Sequence, residues 1–297
     1  MILGEEGTTE MNIIHTLPMF INSDPAEIDG DLLLAQRCFQ SLGRSQHNKV
    51  VIYNQGSQSN ELIEELSAAH GVSSIVLGSG VNIGIAQARQ ACFQYIWDNY
   101  EDTPYITEIH LDMVFPPNWA VPLVEFLEQS DEPLVSPAIL TRFGEMQPLG
   151  TYVQVPENID DLRNLLLSFE RDEVMERFVH PVVHKSQVLK EIGGYDTRFI
   201  QGKQGYEDDS ILLGYFYYMG TRTKWRPKSY LRSWVYHETM AQRMSLPGRH
   251  HDFQLNEEGL FNQYGAYGLK HLAGIHHNSA GFEGLFQSRL ETLKKEK

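Results

Sequence analysis

Three short constellations in this chain carry residue types able to do chemistry, and a fourth offers a seat for a ligand. The first is His110-Leu111-Asp112, closing an apolar run and followed by Pro116-Pro117-Asn118-Trp119. An acidic residue at a strand end can point into a ligand crevice, and carboxylate oxygen is the donor that Mg²⁺ or Mn²⁺ prefers when bridging to phosphate. Taken alone, such an Asp is more often a turn or cap residue. The second is Gly205-Tyr206-Glu207-Asp208-Asp209-Ser210, with Gly193-Gly194-Tyr195-Asp196 and Phe199 before it. Three adjacent carboxylates repel one another unless a cation, hydrogen bonds or solvent compensate. They open a helix whose positive N-terminal end favours negative charge, so they read equally as solvated helix-start acids or as the source of a general base for a hydroxyl. The third is Tyr236-His237-Glu238 at the end of an apolar strand, where the imidazole suits a metal ligand or a core residue. The fourth is Asn82-Ile83-Gly84-Ile85-Ala86, where glycine lets a ligand approach a helix start, or simply makes a loop-to-helix turn.

These residues need elements to position them, and the first half of the chain supplies an alternating set. Residues 12–17 form a short apolar run that Pro18 is expected to stop as a first strand. Leu32, Ala35, Cys38, Phe39 and Leu42 fall at helical spacing before Gly43. Residues 49–53 are a β-branched run closed by Asn54-Gln55-Gly56-Ser57, and Leu62, Ile63, Leu66 and Ala69 mark a second helix. A third strand is expected at 75–77, a third helix at 85–100 and a fourth strand at 105–111, running into Asp112. This rhythm predicts an α/β fold with a mostly parallel sheet flanked by helices, whose ligands bind beyond the carboxyl ends of the strands. The second half is less regular. It offers a helix near 123–129, a strand at 134–140 broken by Pro137, a charged helix near 160–176, an aromatic helix at 210–219 and a strand at 233–237. Arg142, Tyr152, Trp234 and the pairs His250-His251 and His276-His277 read first as packing or surface residues.

Composition narrows the partners. The chain has 297 residues, 41% hydrophobic and 21% charged, as expected of a globular protein, and the absence of a composition shift argues for one domain. A formal charge of -15 argues against nucleic acid and against a basic face docked on anionic lipid. It leaves room for an anionic small molecule, since a bound cation reverses the local sign. The two cysteines, Cys38 and Cys92, lack zinc-ligand spacing and read as buried reduced thiols. No apolar run reaches the roughly 20 residues of a membrane span, and residues 1–11 lack the apolar core of a signal peptide, so a cytoplasmic location is expected. The expected layout is a flexible extension at 1–11, one domain at 12–240 and a C-terminal extension at 241–297.

In order, these segments resemble the inverting family 2 glycosyltransferases and relatives with the GT-A (Rossmann-like) fold. The likeness runs over about residues 12 to 240, through five motifs. They are Leu17-Pro18-Met19-Phe20 after a first strand, Asn54-Gln55-Gly56-Ser57 in place of Asp-x-Gly-Ser, and Asn82 to Ala86 as Asn-x-Gly-x-Ala. His110-Leu111-Asp112 with Pro117 and Trp119 stands in place of Asp-x-Asp, and Gly193 to Phe199 with Glu207-Asp208 completes the set. Gly205 to Asp209 also resembles the Gly-x-Glu-Asp-Asp of β-1,4-galactosyltransferases. The resemblance implies a hexosyltransferase-like enzyme moving a sugar from a nucleotide diphosphate-sugar, UDP-sugar favoured, to a saccharide or other hydroxyl acceptor. It implies Mn²⁺ or Mg²⁺ held by Asp112 and His237, Asp208 as base with Glu207 beside the acceptor, and a donor lined by Pro18, Asn54, Asn82, Gly84, His110 and Asp112. It divides the domain into a nucleotide-binding half, 12–120, and an acceptor-binding half, 121–240. Two residues depart from the pattern: His110 replaces the first Asp of Asp-x-Asp, and Asn54 replaces the Asp of the base-reading turn.

Rival readings have distinct signatures. A nucleotidyltransferase needs a Gly-rich basic loop after the first strand, and residues 17–24 contain no Gly, Lys or Arg. A glycosidase would hold paired carboxylates roughly 5–10 Å apart and cleave simple glycosides without nucleotide. A catalytically weak or inactive sugar-nucleotide-binding module would bind donor without transferring or hydrolysing it.

Overall fold

The computed structural model describes residues 12–239 and 248–295; the expected extension at 1–11 lies outside them. The first half contributes β1 (Ile13–Met19), α1 (Ile28–Leu42), β2 (Lys49–Asn54), α2 (Asn60–Ala69), β3 (Ser73–Gly78), α3 (Ile85–Asn99), β4 (Tyr105–Glu108) and β5 (Met113–Val114). There follow α4 (Val121–Glu128), β6 (Leu134–Thr141), β7 (Glu145–Gln147), β8 (Thr151–Tyr152), α5 (Ile159–Ser168), β9 (Val174–Glu176), β10 (Val182–Lys185) and α6 (Ser186–Glu191). The chain closes with α7 (Glu207–Met219), β11 (Lys228–His237), α8 (Arg249–Ile275) and α9 (Ala280–Lys295).

The strands form one sheet in the order β3-β2-β1-β4-β10-β6-β11-β5. The first four run parallel, as do β6 and β11, while β10 lies antiparallel between β4 and β6. Both expected halves therefore share a single sheet. Its two faces are buried separately: Ile13, Leu17, Met19, Val50 and Ile52 pack with Cys38, Phe39 and α4, whereas Ile14 and Val51 pack with Cys92, Phe93, α7 and α8. That odd-even split along β1 and β2 is the period-2 signature of strands covered on both sides. Ser59 caps α2 by accepting the Leu62 N–H, and Asn158 caps α5 through Asp160 and Asp161. Both cysteines are free and buried. No described helix is long and apolar enough to cross a membrane.

Several sequence expectations need correction. Pro18 does not stop β1, which continues to Met19 with Pro18 opposite Tyr53. The carbonyl of Thr16 faces β4, accepting Ile109 N–H, and that of Met19 faces β2, accepting Gln55 N–H. Residue 18 therefore turns its missing N–H toward the side where β4 has already ended, which is why a proline is tolerated there. Pro137 likewise lies within β6, fully in the strand and opposite Tyr230, where the register of β11 shifts by a bulge. The charged stretch near 160–176 divides into α5 and the strand β9, and β4 ends at Glu108, short of Leu111. The extension after 240 is helical where described, with a kink at Gly265 inside α8.

Candidate functional site

The carboxyl ends of β1, β2 and β4 open onto the loops that carry the first-half motifs. At the Asn54 turn, the side chain is 2% exposed and its polar atoms serve the turn: the amide donates to Gln58 O and Asn60 Oδ1, and Oδ1 accepts Gly56 N–H. The neighbouring Gln55 reaches across, its Oε1 accepting the N–H groups of Ile83 and Gly84. Asn82 Oδ1 also accepts the Gly84 N–H. Gly84 holds φ +96, and a Cβ there would sit 3.0 Å from Lys203 Cα and 3.2 Å from Gly202 O. The close approach that this glycine permits is made by the chain itself, and Lys203 O accepts the Ile85 N–H at the start of α3. Pro18 is half-buried at the end of β1.

After β4 the chain turns through His110 and Asp112 before entering β5. Strand β11 pairs antiparallel with β5, His237 opposite Met113, and Glu238 N–H donates to Asp112 O. This pairing sets His237 Nε2 3.3 Å from Asp112 Oδ1, both side chains mostly buried. The His110 ring meets the His237 ring edge-on at 5.3 Å. The candidate ligand atoms of His110, Asp112 and His237 all lie within 4.8 Å of one another. A first-row divalent ion takes N and O ligands at about 2.0–2.2 Å, so two ligands of one ion stand at most about 4.4 Å apart. The three fit such an ion after shifts of a few tenths of an ångström. Cys38, whose Sγ lies against His110 O, is held as a thiol by burial and by the nearby Asp112 charge.

The three carboxylates that open α7 meet different surroundings. Glu207 is buried, Asp208 Oδ1 lies 2.7 Å from His180 Nε2, and Asp209 Oδ1 lies 2.7 Å from His276 Nε2. Burial alone would push the Asp208 carboxyl up, but the charge and hydrogen bond of His180 outweigh it and hold the group below the usual carboxylate range. Burial prevails at Asp209, which stays above that range despite His276. The His180 ring in turn packs on His110 with centroids 4.8 Å apart. A continuous file of side chains thus runs Asp208, His180, His110, His237, Asp112. Sequence reasoning missed its second member: His180 precedes the short strand β10, which leaves no periodic signal.

A second missed group lies beneath. Glu108 is fully buried, hydrogen-bonded to the Tyr195 hydroxyl at 2.7 Å and His184 Nε2 at 2.8 Å, and ion-paired with Arg89, whose Nε lies 2.9 Å away. His184 Nδ1 and the Tyr215 hydroxyl are 2.7 Å apart. Burial pushes the Glu108 carboxyl up, yet Arg89 and His184 bring it down to about 2. One signal was available: Arg89 falls on the apolar face of α3 with Cys92, Phe93 and Ile96.

The paired histidines and aromatics are mostly structural. His276 stacks on Phe282, His277 Nε2 meets Glu176 O, and Trp234 is buried against Phe169. Arg142 lies over the exposed Phe143 ring, and Tyr152 is exposed. The C-terminal helices pack on α7 and its approach loop. The buried Asn256 amide accepts Gly202 N–H and donates to Gly205 O, and Tyr264 donates to Ser210 O. Gly205 holds φ +92, and a Cβ there would meet the Phe253 ring at 2.9 Å.

No protein-family model matches this chain, and no curated protein matches its sequence. Solved structures do. GalNAc-T7, crystallised with UDP, GalNAc and Mn²⁺, superposes with a TM-score of 0.51 and 14% identity, over 77% of this chain and 44% of that one. TarS of S. aureus superposes with a TM-score of 0.50 and 10% identity, over 90% of this chain and 43% of that one. The chain spans less than half the length of either structure. At such identities the likeness concerns architecture alone, and the architecture is the GT-A glycosyltransferase fold.

Proposed function

We propose that this chain is a glycosyltransferase that moves a sugar from a nucleotide diphosphate-sugar, a UDP-sugar in the first instance, to an acceptor hydroxyl. The observation that carries the reading is the file Asp208, His180, His110, His237, Asp112 at the carboxyl ends of a GT-A sheet. It joins a group able to hold a divalent ion to a half-exposed carboxylate.

The donor set indicates the ion. Two imidazoles and one carboxylate suit Mn²⁺ better than Mg²⁺, which favours oxygen donors and retained waters. A bound cation of this kind would neutralise charge developing on a leaving diphosphate. The chain's own residues do the rest. The Asp208 carboxylate, kept ionised by its neighbours, takes the proton of the acceptor hydroxyl as that oxygen bonds to the anomeric carbon. The bond from the anomeric carbon to the diphosphate oxygen breaks in the same step, and one displacement inverts the centre. Glu207 lies beside Asp208, buried at the first position of α7, and supports the acceptor side.

The experiment is a panel of UDP-glucose, UDP-galactose and their N-acetyl forms, each with and without Mn²⁺. Thermal stability and UDP release are followed together. A ligand that binds only the folded state raises stability by about 2.7 kcal/mol at 100 times its dissociation constant. The reading expects a Mn²⁺-dependent rise with one donor, accompanied by UDP release. A rise without release or transfer would instead make this a binding module, and hydrolysis of simple glycosides without nucleotide would make it a glycosidase.

A further inference from the structure

His180 occupies an unusual place. Its Nε2 lies 2.7 Å from Asp208 Oδ1, and its ring packs 4.8 Å from that of His110. Its side chain is 7% exposed while that of Asp208 is 35% exposed. Its Nδ1 is buried with no hydrogen-bond partner among the described residues. Phe178 closes the ring from another side, edge-on at 5.1 Å. We propose that His180 is the positioning residue for Asp208. It pins Oδ1, leaves Oδ2 as the atom that takes the acceptor proton, and by packing on His110 sets the spacing between that atom and the His110, Asp112 and His237 group. This inference rests on the reading of Asp208 as the base.

The alternative division of labour, with the imidazole as base and the carboxylate orienting it, is familiar from hydrolase triads. The exposures here decide against it. An ionised carboxylate only accepts, so Nε2 carries the proton that joins the two groups. The remaining ring nitrogen is sealed from solvent, so no acceptor hydroxyl can reach it. Of the two side chains, only that of Asp208 keeps substantial exposure. Without His180 that carboxylate, at the second position of α7, would rotate freely about its two side-chain torsions. Holding a reacting group in place is worth much of a rate enhancement, and a 1 Å misplacement costs about 10²-fold.

The test uses the full chain with Mn²⁺ and the UDP-sugar that the wild-type protein hydrolyses or transfers. Four variants are compared: His180→Ala, His180→Gln, Asp208→Asn, and His180→Ala combined with Asp208→Asn. Circular dichroism and melting temperature establish folding for each. His180→Ala is expected to lower kcat by about 10²-fold with the donor KM changed less than about 3-fold. His180→Gln keeps an N–H at similar reach and is expected to recover at least about tenfold of that loss. In the Asp208→Asn background, His180→Ala should have no further effect, because a residue acting only through Asp208 has nothing left to position. A purely structural histidine would instead lower both backgrounds alike, and that additivity overturns the proposal. So does a His180→Gln protein that folds normally yet is as slow as His180→Ala. Should Asp208→Asn itself retain wild-type turnover, the reading of Asp208 as the base falls and takes this role with it; should no UDP-sugar be turned over at all, the transferase reading falls as well. If Asp208→Asn is silenced while both single His180 variants match wild type, only the role of His180 falls.

Discussion

One turn of chain carries two acidic residues with opposite fates. Glu108, the last residue of β4, is wholly buried, hydrogen-bonded to His184 and Tyr195 and ion-paired with Arg89. Asp112, four residues on, retains some exposure and meets His237 at 3.3 Å, near His110. The first carboxylate has a hydrogen bond on each oxygen and a buried guanidinium beside it, so it fastens four elements (β4, α3, β10 and the turn after α6) and is enclosed away from any ligand. The second sits in a convergent group whose donor atoms point at shared space. Charge type is the same in both; the degree of internal satisfaction separates a structural carboxylate from a candidate ligand.

The contrast is broken or sharpened most strongly at Asp208. Asp208→Asn is expected to cut transfer about 10²–10⁴-fold while donor binding, read by calorimetry, is retained; unchanged turnover would remove Asp208 from the chemistry. At Glu108 the expected loss is of stability. Glu108→Ala leaves the Arg89 guanidinium buried and uncompensated, at a cost of about 3–5 kcal/mol in urea unfolding. A loss below 1 kcal/mol would show that the network is not a fastening. Acid titration makes a related claim. With its carboxyl at about 2 when folded, Glu108 contributes stability that is complete above the ordinary carboxylate range of about 4.5 and lost as pH falls toward 2. The total is about 3 kcal/mol at about 1.36 kcal/mol per unit. Unfolding free energies measured from pH 6 to pH 2.5 should fall in wild type and flatten in Glu108→Gln. The smallest effect belongs to the metal group. Mn²⁺ at 100 times its dissociation constant should stabilise wild type by about 2.7 kcal/mol and Asp112→Ala hardly at all. An equal rise in both would place the ion elsewhere.

Much of this architecture was legible beforehand, for identifiable reasons. Helix α1 and strand β2 announce themselves because Ala35, Cys38, Phe39 and Leu42 keep a helical period and residues 49–53 are β-branched. His110, Asp112 and His237 stood out because each closes an apolar run in the sequence, although β4 itself ends at Glu108 and only His237 closes a strand. What failed were positions decided by neighbours. The prolines at 18 and 137 look like strand breakers until the pairing shows a neighbouring strand already ended beside one and a register shift opposite the other. His180 and Glu108 acquire meaning from partners 28 and 76 residues away, and no local pattern encodes such a bond. Asn54 illustrates the reverse case, a conspicuous motif residue whose polar atoms are spent inside its own turn.

The Asn256 amide has a temporal implication. It ties down the 202–205 loop, whose Lys203 carbonyl caps α3 and whose next residues lead into Asp208. Ribosomes release a chain from its amino end, so all five side chains of the file emerge before the amide that sets the loop between them. Competence of the nascent protein would therefore arrive late and in one step, when α8 docks, rather than accumulating as each strand is laid down.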